Sequence, residues 1–412
     1  MAEPRLKAGV VGLGVGAVGP VREMETSSKF ELRAGADTDP VVRAGFQKVY
    51  PEARVYDSIE KLVADPEVEV VWVQTPNRLH AEQSVIAANA GKHVVVQKPM
   101  ALTLQEAENM VEAADRNNVR LVAGNSHCYK TPFQMMGQIA RSGELGKVRA
   151  INVVAYNGWW LQSRLPEDLD PSYGGGIVYR AVPHQIDAIR LIGGGKLKSV
   201  RGTVSEWMPA RPGPAYCSAY MEFTDGTPAV VIQNSYGYFV CDDLMSWVSP
   251  EEQRKQFSQR GAIRQGLQNG TRSEADYRER RIGAALDRGR TDRAGEREWA
   301  ADMGMVIVSC ERGDMRQSPD GVYVYSEKGA REVKVMGGTL WEKEQAELYD
   351  AIVRGHRGFH SGRSALATIE VVVAIMESAR THRDVELTRQ MELDEVVDVP
   401  HAIEPEEVVQ LT

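Results

Sequence analysis

Gly12-Leu13-Gly14-Val15-Gly16-Ala17 ends the apolar run Ala8–Gly12 and opens a stretch with helical spacing. The run has the form GxGxxA, an accepted version of the dinucleotide-binding fingerprint. Gly12 permits a tight turn, Gly14 lets the backbone approach a pyrophosphate, and Ala17 keeps a helix close to its strand. Leu13, Val15 and Gly16 complete the cradle, and the free N–H groups of the helix start face the phosphates. Asp37 closes the second apolar run, Leu32–Ala36, about 20 residues further on. A carboxylate there accepts both ribose hydroxyls and repels a 2′-phosphate, and Thr38 rather than an arginine follows it. The pattern predicts NAD as cofactor over NADP. A glycine-rich turn that binds nothing has the same six residues. The strand before, the helix after and the acid in place argue against that reading.

Outward from this stretch, apolar runs continue at Val68–Val73, His93–Val96 and Arg120–Ala123, separated by helical patterns at Leu79–Ala90 and Leu104–Asn117. Strands alternating with helices need crossover connections and form a parallel sheet, so residues 1–127 are predicted to be a Rossmann domain. Ligands of such sheets bind at the carboxyl ends of strands. Gln74-Thr75-Pro76-Asn77, with His80 in the helix start beyond, and Gln97-Lys98-Pro99 lie at two such ends. Thr75, Pro76, Asn77, His80, Gln97 and Lys98 are therefore candidates for the nicotinamide half of the cofactor. Lys98 precedes a proline, which restricts its backbone.

From about Lys147 the pattern changes. Val148–Ala155, Val200–Val204, Ala219–Phe223, Val230–Gln233 and Val322–Tyr325 read as strands, with one early helix around His184–Ile192. Residues 128–390 are thus expected to form an α/β domain on a large, open, mainly antiparallel sheet. An exposed sheet face is costly in water, so a homodimer or homotetramer is expected. Residues 250–298 hold twelve Arg or Lys against nine acids and read as helices inserted on the surface; the mixed signs argue against nucleic acid. Leu340–Ala379 returns to helical periodicity. The tail 391–412 has seven acids and no Lys or Arg, and is expected to be exposed or packed on a neighbouring subunit.

Composition sets the outer limits. The 412 residues are 42% hydrophobic and 26% charged with a net charge of −8, ordinary for a globular protein and unsuited to nucleic acid or an anionic membrane. No apolar run approaches the roughly 20 residues that span a bilayer. Met1–Lys7 leads straight into a strand and does not read as a signal peptide. Cys128, Cys217, Cys241 and Cys310 are far apart, which removes a disulfide scaffold and a zinc site and points to the cytoplasm. His356 and His360, four apart, make a poor metal pair, because glycines at 355, 358 and 362 break the spacing.

The assembled motifs resemble the Gfo/Idh/MocA oxidoreductases over nearly the whole chain. The glycine fingerprint, Thr75-Pro76-Asn77 with His80, Gln97-Lys98-Pro99, Ser142–Lys147, and Gly174-Gly175-Gly176 followed by His184 and Asp187 carry the resemblance. Tyr156–Trp159, Pro166–Asp170 and Ser309–Gly321 resemble the phthalate 4,5-cis-dihydrodiol dehydrogenase branch. The resemblance implies a Rossmann domain followed by an open-sheet α/β domain. It also implies NAD-dependent oxidation of a carboxylated cis-dihydrodiol to a catechol. The family usually has glutamate where Gln97 stands, and the loss of that charge should lower the Lys98 pKa. It often has aspartate where Arg180 stands, and the phthalate branch resembles this chain in having arginine there.

Oxidising an alcohol needs a hydride acceptor and a base. His184 is the candidate base and Lys98 the candidate partner that holds the oxygen. Arg180, His184 and Asp187 recur at helical spacing and share a face if the segment is one helix. On that face Arg180 would keep the imidazole neutral and Asp187 would fix its tautomer. Arg180 either grips a substrate carboxylate or pairs with Asp187 or an acid elsewhere. Asn125 and His127 follow the fifth strand and are candidates for the substrate rim. Tyr156 and Trp159 are candidates for stacking on a ring, with core or interface packing as the alternative. The leading reading is a diol dehydrogenase. Its rivals are a sugar, polyol or inositol dehydrogenase, an NAD-retaining lyase or hydrolase using transient oxidation, and a non-catalytic cofactor sensor.

Overall fold

The computed structural model describes residues 4–124, 126–162, 164, 166–209, 211–245, 261–271, 303–335, 338–393 and 405–411. The first half builds a parallel sheet from β1 (Leu6–Val11), β2 (Phe30–Ala36), β3 (Arg54–Tyr56), β4 (Val70–Val73), β5 (His93–Gln97) and β6 (Leu121–Gly124), in the order β3-β2-β1-β4-β5-β6. Helices α1 (Val15–Thr26), α2 (Pro40–Val49), α3 (Ile59–Val63), α4 (His80–Asn89) and α5 (Leu104–Arg116) make the connections. Val70, Val71, Trp72 and Val73 are all buried, as strands covered on both faces require. Thr103 starts α5 with a capping box closed by Glu106. The order reverses beside β1, which opens the ligand crevice at the glycine loop.

The second half contains α6 (Thr131–Ser142), β7 (Val148–Tyr156), α7 (Pro166–Leu169), α8 (Ile177–Arg180) and α9 (Val182–Gly193). Strands β8 (Leu197–Ser205), β9 (Tyr216–Phe223), β10 (Pro228–Asn234), β11 (Met305–Cys310), β12 (Gly313–Gln317), β13 (Gly321–Ser326) and β14 (Gly329–Val335) follow. Then come α10 (Leu340–Tyr349), α11 (Gly362–Thr381), β15 (Val385–Glu386) and β16 (Pro405–Leu411). The ten strands β15-β8-β9-β10-β7-β11-β12-β13-β14-β16 form one sheet, antiparallel except where β10 meets β7. One face packs on α6, α9 and α11 through residues such as Ile186, Ile189, Met221 and Ile375. Of the expected charged insertion, residues 261–271 are described; 261–268 are helical, with Ile263 and Leu267 against a small aromatic core. The remainder of that insertion lies outside the described residues.

The acidic tail is largely exposed over residues 405–411, as expected, and there it also forms β16, antiparallel to β14, with Lys334 and Glu407 paired at 2.7 Å. Val408, Val409 and Leu411 supply the apolar residues of this strand, which the net charge hid. Helices late in the chain also pack on the Rossmann half. Leu348 and Tyr349 of α10 join the Rossmann core with Phe30 and Trp72. Phe30 meets Trp72 and Tyr349 edge-on at 5.0 and 6.0 Å. Helix α11 serves both cores, Ala365 and Ile369 in the first and Val371, Val372 and Ile375 in the second. Among the described residues no helix is long and apolar enough to cross a membrane.

Candidate active site

A cleft of about 620 Å³, within the usual range for small-molecule sites, runs along the carboxyl ends of the Rossmann strands. Gly12, Gly14 and Gly16 line one wall. Gly12 has φ +85°, and a Cβ there would stand 2.8 Å from the Gln74 backbone. Gly14 caps α1 and a Cβ there would meet nothing within 4 Å, so that side of the loop is open to a ligand. Asp37 accepts the Leu13 N–H at 2.9 Å through one carboxylate oxygen and the Asp39 N–H at 2.9 Å through the other. Asp39 and Asp57 line the same end of the cleft. Three acids there disfavour a further phosphate, while Asp37 suits ribose hydroxyls. These residues fit NAD.

The loops after β4 and β5 form the other wall and tie to one another. Asn77 donates to the Gly174 carbonyl at 3.2 Å, and Thr75 Oγ1 meets Gln83 Oε1 at 2.6 Å. His80 is fully buried, with Nδ1 2.7 Å from the Pro99 carbonyl and Nε2 2.8 Å from that of Thr75. Burial pushes its pKa down to about 4, so the ring is neutral and donates to one carbonyl at a time. Pro76 precedes the short turn Asn77–Leu79 that leads into α4. Gln97 Oε1 accepts the Lys98 N–H at 2.8 Å, and its Nε2 reaches Gln74 Oε1 at 3.5 Å.

Lys98 extends from this wall, with a cis peptide to Pro99, and donates to the Arg180 carbonyl at 2.7 Å. Burial, then the positive charges of Arg180 and Arg164, push its pKa down to about 7. His184, in the first turn of α9, is 5% exposed. Burial, then His127, Lys98 and Lys130, hold its pKa well below the usual histidine value, so the imidazole is uncharged near neutrality. The His127 ring lies against it, with centroids 4.3 Å apart at 43°.

The single-helix expectation for residues 180–187 is corrected. The chain breaks at Ala181 (φ −123°, ψ −41°) between α8 and α9, so Arg180 leaves the face shared by His184 and Asp187. Its guanidinium pairs with Asp168 of α7, the acid elsewhere, and lines the cleft. Asp187 accepts from Thr368 Oγ1 of α11 and lies 3.8 Å from Arg190. His184 Nδ1 has no hydrogen-bond partner among the described residues, so Asp187 does not set its tautomer by a direct bond there.

Tyr156 packs on Phe239 with centroids 5.6 Å apart, and its N–H donates to Cys241 Sγ at 3.1 Å. Trp159 stacks on Trp160 at 5.8 Å and carries the Arg164 guanidinium 3.5 Å above its ring. Trp160 itself is buried core. Asn125 lies outside the described residues. Arg164 and Asp168 were not among the candidates read from sequence. Asp168 stands inside the quoted Pro166–Asp170 motif, whereas Arg164 has no local pattern to mark it.

Two family models match the chain. The model described as "Oxidoreductase family, NAD-binding Rossmann fold" covers residues 6–125, and "GFO/IDH/MocA C-terminal domain" covers residues 133–239. The 1-carboxy-3-chloro-3,4-dihydroxycyclohexa-1,5-diene dehydrogenase of Comamonas testosteroni is 30% identical over 392 residues, 91% of this chain and 95% of the relative. The inositol 2-dehydrogenase of Salmonella typhimurium is 30% identical over 249 residues, 58% of this chain and 70% of the relative. A crystal structure from Bordetella bronchiseptica RB50 superposes with a TM-score of 0.82 at 30% identity, covering 93% of this chain and all of that one. The glycine cradle, Lys98 and His184 thus sit in a chain that belongs to the Gfo/Idh/MocA family of NAD-dependent oxidoreductases.

Proposed function

We propose that the protein oxidises a vicinal diol on a carboxylated ring, taking a cis-dihydrodiol toward the catechol. One observation carries this reading: Lys98 feels the positive charges of Arg180 and Arg164, lies near an uncharged His184, and has Arg180 paired with Asp168 beside it. Such a set attracts an anionic substrate and still offers a neutral base. The relative from Comamonas testosteroni supports it by name. Bound NAD supplies the hydride acceptor. His184 takes the hydroxyl proton, Lys98 holds the oxygen, and the planar fork of Arg180, oriented by Asp168, meets the carboxylate. His127, against His184, and Trp159, under Arg164, complete the substrate wall.

Incubation with NAD and a panel of cis-dihydrodiols, sugars and inositols, followed by NADH absorbance, tests the reading. NADH from carboxylated diols is expected. Activity confined to sugars or inositols replaces the substrate class, and turnover without net NADH favours a lyase or hydrolase. Lys98→Ala and His184→Ala should each lower turnover by roughly 10²- to 10⁴-fold with NAD still bound.

The outer face of the ten-stranded sheet supports assembly. Tyr220, Val230, Asn152, Ile307, Arg316 and Tyr323 are cross-strand neighbours in one row, and Tyr220 is 45% exposed. A second copy covering that row gives the homodimer, or two such pairs the homotetramer.

A further inference from the structure

His127 and Tyr129 belong to one short turn, Ser126–Tyr129, and each packs on a different buried histidine. His127 lies on His184; Tyr129 lies on His360, with ring centroids 4.0 Å apart. His360 is bound to Glu347 of α10 twice, its Nδ1 3.1 Å from Oε2 and its backbone N–H donating to Oε1 at 2.8 Å. The cofactor cleft makes no use of this pair. Its histidine is interior, while the Glu347 side chain keeps 18% exposure. The pair therefore spans from beneath the active site to the surface.

His184 Nδ1, Tyr129 Oη, His360 Nε2 and Glu344 Oε2 are buried and have no hydrogen-bond partner among the described residues. Buried polar atoms of this kind are ordinarily satisfied by internal water. The groups facing His360 are Glu344 and Glu347 from α10, Asp187 and His184 from α9, and Tyr129 from the turn. Lys130 faces His184, and Lys343 binds the Tyr129 carbonyl at 3.2 Å. Burial opposes a charged His360, but Glu347, Asp187 and Glu344 together outweigh it and raise the pKa, whereas that of His184 is depressed. A proton moving from His184 to His360 travels downhill.

Resting on the dehydrogenase reading, we propose that the His360–Glu347 pair is the exit relay for the reaction proton. Each oxidation releases one proton besides the hydride, and it starts on a 5% exposed imidazole. His184 gains the hydroxyl proton and gives one up from Nδ1 through water to His360 Nε2. His360 passes its Nδ1 proton to Glu347 Oε2 and so to solvent. Only N–H and O–H bonds form and break, and each ring ends with the charge and electrons it began with.

Single-turnover stopped flow decides it, with saturating NAD and a carboxylated cyclohexadiene cis-diol. NADH absorbance reports hydride transfer, and a pH-indicator dye in weak buffer reports proton release. The two traces should coincide in the wild type. In Glu347→Gln and His360→Gln, proton release should lag NADH at least tenfold, with millimolar imidazole restoring it. Glu347→Asp, which keeps the carboxylate, should lag less than Glu347→Gln. Proton release in step with NADH in both Gln variants, or a lag that imidazole does not shorten, overturns the relay alone. A wild type that forms no NADH overturns the dehydrogenase reading itself. Independently of turnover, NMR titration of the cofactor-free protein should show the His360 pKa falling in Glu347→Gln; an unmoved pKa overturns the coupling.

Discussion

Lys98 is the residue on which the pH behaviour turns. In the proposed reaction its ammonium must be present to hold the substrate oxygen, and burial has brought its pKa down to about 7. His184 must be uncharged, and it stays so until well below its usual value. The expected kcat/KM profile is therefore flat on the acid side of neutrality and falls as pH rises through about 7. A profile that rises through that pH exchanges the two roles. Arg180→Lys should raise KM for a carboxylated diol far more than for its uncharged analogue, because an ammonium loses the bidentate grip. Equal changes in both remove Arg180 from carboxylate recognition. The glycine loop, Asp37 and Lys98 were legible as candidates because backbone geometry or strand ends prescribe them, and His184 because of helical spacing and the resemblance. The partners of Arg180 and Asp187 were not. A helix break at Ala181 redirects Arg180, Thr368 from a distant helix takes Asp187, and no periodicity announces a break of one residue or a partner so far along the chain.

The loops after β4 and β5 are held in register by His80, and that clamp has a pH cost. The unfolded chain takes up a proton below about pH 6.5, but the buried ring resists it down to about 4. The folded pKa is depressed, so the contribution is intact above the unfolded value and is lost progressively as pH falls through that window. The loss is on the order of 3 kcal/mol by pH 4. Urea unfolding of His80→Gln should show a shallower decline of stability between these pH values; an unchanged decline places the acid sensitivity elsewhere. Elements were readable where pattern and burial agree, as in the buried valines of β4. The strand β16 went unread, because Val408 and Val409 directly follow two glutamates in a tail whose acid count dominates its composition. A chain ending at residue 404 should leave β14 as an open edge and aggregate more readily than the full chain in light scattering.

For the whole molecule, the proposed assembly rests on the sheet row through Val230 and Ile307. Ile232→Lys, beside Val230 on the same face, should shift sedimentation from an oligomer toward a single chain while NAD affinity holds within about twofold. A monomeric wild type contradicts the assembly. The fold class was visible from the alternation of strands and helices, but the division of labour between halves was not. Sequence order cannot tell which core a late amphipathic helix will join. Leu348 and Tyr349 finish the core begun by Phe30 and Trp72, and Ala365 and Ile369 finish the other Rossmann core, with Val71 and Val94. During synthesis the ribosome must therefore pass residue 369 before the nucleotide domain can close, and until then its valine strands need shelter from one another.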